Sequence, residues 1–467
     1  MSFFTKAGSL FRLFKQALKG EEQSYTSGSI DRAIFMLSIP MILEMSMESL
    51  FAVVDAFYVS RLGVDALATV SLTESVLTIV YSIAIGLSMG ATAMVARRVG
   101  EQDIPGAAKA GVQAIYLVTG LSILISIVGL FFSERILGLM GASESVITSG
   151  VGYTRWMLGG NITVMLIFLI NAIFRGAGDA SLAMRVLILS NALNIILDPI
   201  FIFGFGPIPA FGVEGAAIAT NIGRGTGVLY QIFHLVKGKG LIKIHKDNFA
   251  LDLGLIWRLI KVSVGGTLQF IIASASWIFL VRIVSHFGSA ALAGYTIAIR
   301  VIVFAILPAW GMANASATLV GQNLGAGQPE RAEKSVWRTG FFNMLFLAFI
   351  TVLFLTLAGS IVRLFTTEPI VVGYAVQCLQ IVSVGYIFYA YGMVVAQSFN
   401  GAGDTKTPTI LNFFAFWTFQ IPLAYALAIG LDFGTPGVYW AIVIAESALA
   451  VVSIIIFRQG KWKTIKI

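Results

Sequence analysis

Runs of about twenty or more mostly apolar residues recur along the whole chain, and that length lets an α-helix cross the hydrocarbon core of a bilayer. Twelve are readable, at 32–59, 66–95, 106–132, 145–173, 180–204, 212–236, 254–285, 290–320, 332–358, 370–399, 406–431 and 436–457, numbered here spans 1 to 12. Composition supports this reading. Of 467 residues, 57% are hydrophobic and 12% charged, roughly half the charged share of an ordinary globular protein and too few to cover a water-soluble surface. One cysteine, Cys378, excludes a disulfide framework and a thiolate metal cluster. His234, His245 and His286 lie far apart, which argues against a histidine-based metal or haem site. The expected class is an all-α polytopic membrane protein. No clustered nucleophile, base or metal set points to an enzyme or a cofactor.

Charge asymmetry tests the span count. If the N-terminus is cytoplasmic, the outer side keeps only Arg61, Arg135 and Arg363, while Arg155, Arg224, Arg282 and Arg300 fall inside spans. Every other Lys and Arg then lies on the cytoplasmic side, the bias expected of inner loops. The net charge of +8 is thereby explained without nucleic acid. The expectation is a multi-pass cell-membrane protein with both termini inside. In segment 1–31, Phe3, Phe4, Ala7, Leu10, Phe11, Phe14, Ala17 and Leu18 recur at helical spacing between Lys6, Arg12, Lys15 and Lys19, a pattern suited to lying on anionic membrane lipid. Glu21 to Ser29 reads as a polar lead-in to the first span. Residues 237–253 read as a linker between lobes 32–236 and 254–457, and 458–467 as a basic tail.

The two halves repeat. Phe174-Arg175-Gly176-Ala177-Gly178-Asp179 recurs 225 residues later as Phe399-Asn400-Gly401-Ala402-Gly403-Asp404. Gly63 and Gly288, Gly100 and Gly325, and Gly212-Val213 and Gly437-Val438 keep the same offset. Six spans per half is an even number, so the halves insert the same way, as two homologous six-helix bundles about a pseudo-two-fold axis along the membrane normal. Substrate sites in repeat-built transporters lie between the halves near the midplane. The Gly-Ala-Gly-Asp segments read as turns whose aspartates cap the next helix rather than as phosphate loops.

Ionisable groups inside spans are costly and should face a cavity or a partner. The embedded acids are Glu44, Glu48, Asp55, Glu74, Asp198 and Glu446. Asp55 and Asp198 lie about equally far from the outer ends of spans 1 and 5. Thr220 on span 6 is at similar depth, and Asn194 shares a helical face with Asp198. Four oxygen-bearing side chains at one level suit a proton or a hard cation such as Na+. Neutral buried acids bonded to backbone remain an alternative for Asp55 and Asp198. Glu48, two turns before Asp55, is a further candidate lining residue. Under the 225 offset Asp55, Asn194, Asp198 and Thr220 map to Leu280, Phe419, Leu423 and Ala445, so coupling is expected in the N-lobe only. Pro40 should kink span 1. Glu74 and Arg300 sit one residue apart in the repeat frame and suggest an outer gate, with Arg155 as a partner for Glu74 within the lobe instead. Glu446 on span 12 would pair with Arg282 or help to bind a cationic substrate. Tyr58, Tyr81, Trp277, Tyr295 and Trp310 are candidates for lining the cleft.

The chain resembles the MATE (multidrug and toxic compound extrusion) transporters. The resemblance rests on Ser38-Ile39-Pro40, Val53-Val54-Asp55, Val95-Ala96-Arg97-Arg98, Phe174 to Asp179, Asn194 to Pro199 and Leu319 to Gly325. It implies export of amphipathic, often cationic, organic compounds in exchange for H+ or Na+, with a monomer as the functional unit. It also implies that Asp55, Asn194, Asp198 and Thr220 match the N-lobe cation or proton site of DinF-like members, and that Pro40 matches a proline linked to helix bending. NorM-like members carry a carboxylate pair on spans 7 and 10, which here have no embedded Asp or Glu. Twelve spans in two parallel halves would equally fit a major-facilitator fold. A lipid-linked oligosaccharide flippase of related fold is the other reading, although here embedded acids outnumber embedded bases.

Overall fold

The computed structural model describes residues 3–20, 25–238 and 240–467, with side chains from Phe11 onward. Among these residues, ten helices are long and apolar enough to cross a membrane: Ile30–Ser60, Val64–Gly100, Ile104–Leu139, Glu144–Gly176 and Ala180–Phe203 (spans 1–5), Leu253–Ser285, Ser289–Gly325 and Pro329–Val362 (spans 7–9), and Lys406–Gly430 and Thr435–Arg458 (spans 11 and 12). Span 10 is a bent pair, Pro369–Val384 and Tyr386–Ala402, that turns by 61° at Gly385. Span 6, Val213–Lys237, is helical over 25 residues but falls short on hydropathy, because Glu214, Thr220, Asn221, Arg224, Gln231 and His234 dilute it. The twelve spans expected from the apolar runs are therefore all present as helices.

Polar residues between the runs set the helix starts. Ser29 accepts from the backbone N–H of Arg32, Asp103 from Gly106, Asp179 from Leu182 and Asp252 from Leu255, each satisfying an end-of-helix donor. Asp179 is thus the cap expected of its Gly-Ala-Gly-Asp turn, and Asp404 likewise accepts from Thr407 N–H at 3.1 Å. The turn glycines Gly178 and Gly403 have φ of +90° and +87°, a conformation that favours glycine.

Repeat symmetry extends to features that the apolar pattern hides. Span 4 is broken at Gly160 and span 10 at Gly385, again 225 residues apart. The offset then drifts. Span 11 contains two π-helical stretches, Phe413–Gln420 and Ala426–Gly430, and the turn after it is shorter than its N-lobe counterpart. In the N-lobe, Phe211 and Gly212 N–H groups donate to the Phe201 and Ile202 carbonyls; in the C-lobe, Phe433 and Gly434 donate to Leu427 and Ala428. Gly212 therefore corresponds to Gly434, not Gly437. By these bonds Asp198 aligns with Ala424, Thr220 with Ile442, and Arg224 with Glu446. The earlier counterparts Leu423 and Ala445 shift, yet the C-lobe still lacks an ionisable group at the Asp198 and Thr220 positions.

The lobes meet through small residues. Span 2 packs on span 7 and span 8 on span 1. A Cβ on Gly311 would lie 2.6 Å from the Met41 carbonyl oxygen, and one on Gly86, its repeat mate, 2.7 Å from that of Ser263. The first half of span 1, with Ile34, Leu37 and Met41, shares a core with Ala315 and Leu319 of span 8. Leu255 and Leu259 of span 7 join the N-lobe core in turn. Each of these spans thus begins against the opposite lobe.

Spans 2 and 8, at 37 residues each, run about 55 Å at 1.5 Å per residue, well beyond the bilayer core. Their excess length meets at the basic face, the end that carries Arg97, Arg175 and Arg331. Gln322 donates to the Gly176 carbonyl at 3.2 Å and accepts from Tyr25 N–H at 3.1 Å. Arg97 reaches across to the carbonyl of Ile465 at 3.0 Å. The final segment is docked: Trp462 is fully buried and stacks on Phe457. The linker runs along span 3, where Gln113 donates to the Ala250 carbonyl at 3.0 Å and Lys109 to Asp252 at 2.8 Å. The Lys109 bond holds the Asp252 carboxyl below its ordinary value. The N-terminal helix, Phe3–Lys19, packs on spans 1 and 5 with Ala17 buried and Phe11 and Phe14 exposed. The side chains of Phe3, Phe4, Lys6, Ala7 and Leu10, residues 21–24 of the lead-in, and Lys239 lie outside the described residues.

Candidate functional site

Span 6 approaches span 5 closely where Gly223 faces it; a Cβ there would lie 2.8 Å from the Ser190 carbonyl oxygen. This brings Asn194 and Thr220 together. Asn194 Nδ2 donates to Asp198 Oδ1 at 3.2 Å and to Thr220 Oγ1 at 3.1 Å. All three are buried. Asp198 Oδ2 and Asn194 Oδ1 have no hydrogen-bond partner among the described residues. Pro199 follows directly inside the helix and leaves the Ile195 carbonyl without its usual donor. The pocket is thus rich in acceptors and short of donors, a donor set that suits a proton or a small hard cation. Asp55, half-buried on span 1, makes no direct bond to this trio but lies within repulsive range of Asp198. Among the described residues no three His, Cys, Asp or Glu side chains converge on a metal position, so Na+ here would rely on the mixed carboxylate, amide and hydroxyl set.

Glu48 belongs to a different cluster. It accepts from Arg224 Nη2 at 3.1 Å, and the guanidinium lies over Phe51 and Tyr81, 5.1 and 6.0 Å from the ring centroids. Asp55 and Glu74 are within Coulombic reach of the same arginine. One turn earlier, Glu44 accepts from Arg175 at 2.5 Å and Asn171 at 3.2 Å, and Asn171 accepts from Gln231. Sequence reasoning missed both arginine partners. The available signal was the four-residue spacing of Glu44 and Glu48, which demands a cation for each on one face of span 1.

The remaining expectations divide. Glu74 faces Arg224 of its own lobe rather than exposed Arg155, and no ion pair joins it to exposed Arg300 among the described residues. Arg282 is exposed near the C-terminal end of span 7 and among the described residues makes no ion pair with Glu446, which corrects that pairing. Tyr295 is not a cleft residue; it is buried in the C-lobe core, stacked on Tyr439. Tyr58 packs edge-on against Phe203, and Tyr81 borders Arg224. Trp277, Trp310 and Glu446 line a C-lobe cavity of about 410 Å³.

Comparison with known proteins agrees with this architecture. The MatE family matches residues 40–200 and 267–426, one segment in each lobe. A probable multidrug resistance protein of Bacillus subtilis, YoeA, is 26% identical over 94% of this chain and 96% of its own length. Crystal structures of MATE in straight and bent conformations superpose with TM-scores of 0.88 and 0.87 at 28% identity, covering 96% of this chain and 99% and 97% of theirs. A family match spanning both lobes and fold agreement over nearly every span leave one conclusion: this chain belongs to the MatE family of multi-pass membrane transporters.

Proposed function

We propose that this protein is a secondary antiporter that exports amphipathic, often cationic, organic compounds in exchange for H+ or Na+. The observation that carries the proposal is the unsatisfied acidic pocket of Asp198, Asn194 and Thr220, with Asp55 beside it on span 1. Span 1 also carries the contact with span 8. Two nearby carboxylates repel until one takes a proton or both share a cation. Occupancy therefore weights one shape of span 1 over another, and a lobe-spanning helix passes that bias to the cleft. Relatives named for multidrug resistance support the export reading. The charge distribution supports cytoplasmic termini, and the exposed Phe11 and Phe14 support contact of the N-terminal helix with lipid. A monomer contains the whole proposed pocket.

Purified protein in liposomes, with H+ and Na+ gradients imposed separately, tests the proposal. One gradient should drive movement of a cationic dye. Asp55→Asn and Asp198→Asn should each lower that movement at least tenfold while leaving the protein folded in the membrane. Full transport by both variants would remove this pocket from the mechanism.

A further inference from the structure

The basic face is closed by a contact that obeys the repeat symmetry. Spans 2 and 8 cross there between the lobes: a Cβ on Gly100 would overlap the Gln322 carbonyl, and one on Gly325, its repeat mate, the Arg97 carbonyl. Arg97 and Gln322 are themselves 225 residues apart, and each reaches the end of the opposite lobe's broken span. Gln322 donates to the Gly176 carbonyl at 3.2 Å, and Arg97 to the Ala402 carbonyl at 3.4 Å. Each also holds one segment outside the spans. Gln322 accepts from Tyr25 N–H ahead of span 1, and Arg97 donates to the Ile465 carbonyl beyond span 12 at 3.0 Å.

The segment beyond span 12 is held unequally at its two ends. Gly460, with φ of +75°, turns the chain. Trp462 is then fully buried, stacked on Phe457 with ring centroids 4.6 Å apart, and its Nε1 donates to the Phe457 carbonyl at 2.9 Å. Lys463 pairs with Glu333 of span 9 at 2.5 Å. These partners all belong to the C-lobe. Among the described residues the N-lobe end has the Arg97 bond to Ile465 and the side chain of Ile467, which packs, partly buried, against the N-lobe core beside Gly403. A buried indole leaves its site only by exposing its whole apolar surface. One hydrogen bond to a carbonyl exchanges readily for water. The linker after span 6 is the repeat counterpart of this segment, but it runs on into span 7 and cannot let go.

We propose that residues 459–467 form a strap across the two lobes. Anchored on the C-lobe by Trp462, the strap holds the basic face closed through Arg97 and Ile467 and releases those two contacts when that face opens. The balance between closed and open states is thus set partly by a segment outside the membrane. Removing a strap contact removes a stabilising interaction from the closed state alone, so the population shifts toward the open one by the corresponding factor. The acceptor for Arg97 is a main-chain carbonyl, so the bond depends on the path of the segment rather than on the side chain at position 465. The strap bears on gating, not on which ion or compound moves.

Thiol labelling of the purified, detergent-solubilised full chain tests it. Thr318 of span 8 is fully buried and donates across the interface to the Arg175 carbonyl at 3.1 Å, so a cysteine there is reached only when the basic face opens. Cys378 is fully buried and adds little background. In a Thr318→Cys background, Arg97→Gln and Ile467→Ser should each raise the labelling rate with a charged maleimide by about threefold or more. Trp462→Ala, which frees the anchor, should raise it further. Arg98→Gln removes an arginine bonded to Glu101 of its own lobe and should leave the rate unchanged. A thermal melt within a few degrees of the parent confirms that each variant is folded; should Trp462→Ala not fold, the Ile467 arm decides. Unaltered labelling in Ile467→Ser would overturn the proposal even beside a faster Arg97→Gln, because Arg97 also serves the Ala402 carbonyl and Ile467 belongs to the strap. So would an equal rise in Arg98→Gln, which would make the effect one of surface charge. The rate is read with neither dye nor gradient. Faster labelling of variants in a protein that moves no dye would therefore sink the export reading and leave the strap standing.

Discussion

One helical turn separates Glu44 from Glu48, and each meets an arginine from a different span. The pairs differ in depth. The Glu44 and Arg175 side chains are 2% and 11% exposed, whereas Glu48 is 23% exposed. Removing one member of a deeply buried pair strands the other charge, so Glu44→Gln should cost about 3 kcal/mol of stability. Glu48→Gln should cost less, because water reaches its side of the pair. Thermal unfolding in detergent reads the order directly, and equal losses would contradict the depth argument. The acid pocket was partly legible beforehand: Asn194 and Asp198 are four residues apart, and helical periodicity alone puts them together. Arg224 was not legible as the partner of Glu48, because a contact between spans 1 and 6 depends on rotations about both helix axes that no local spacing encodes.

At the scale of the helix, span 1 has two jobs on either side of Pro40. As far as Met41 and Ile42, just past the proline, it packs on the C-lobe; further on, Glu48 and Asp55 face their own lobe. Proline removes the donor that the Met36 carbonyl would use and weakens the helix at that junction. Pro40→Ala should therefore stiffen span 1 and lower dye transport severalfold while expression and fold persist; wild-type turnover in liposomes would rule out a hinge here. Helix existence was readable from apolar run length, but internal breaks were not. Gly160 and Gly385 end helices inside otherwise continuous apolar runs, and glycine is common enough in membrane spans that neither stands out. The π-helical stretches of span 11 leave no compositional trace, and the shorter turn after them shifts the repeat register and hides the Arg224–Glu446 correspondence. Span 6 was harder by hydropathy for a physical reason: the residues that lower its score are those that build the site.

For the whole molecule, alternating access requires the end opposite the basic face to close. We propose that Glu74 and Arg300 meet there in the closed state, with Glu74 leaving the field of Arg224. Charge reversal would set an arginine at position 74 beside Arg224, so a covalent test is cleaner. Cys378 is fully buried, and background labelling should be low. Glu74→Cys with Arg300→Cys should cross-link with a short bifunctional reagent, and the link should block transport until reduced. Failure to link under any imposed gradient, in a variant that still transports, would remove the gate.

The exchange of first halves between lobes bears on how the protein is made. Met41 reaches the membrane early, but the Gly311 surface against which it packs is synthesised about 270 residues later, a delay of roughly 15–50 s at usual translation speeds. Until then the opening turns of span 1 have the N-terminal helix and span 5 beside them but lack the C-lobe side of their packing, and span 7 cannot finish its own packing without the older half. Biogenesis should therefore be a docking reaction between two inserted but unfinished bundles. The quality-control machinery would meet its most vulnerable species just before span 8 is made, when roughly two-thirds of the chain has been translated and the opening of span 1 still lacks its C-lobe partner.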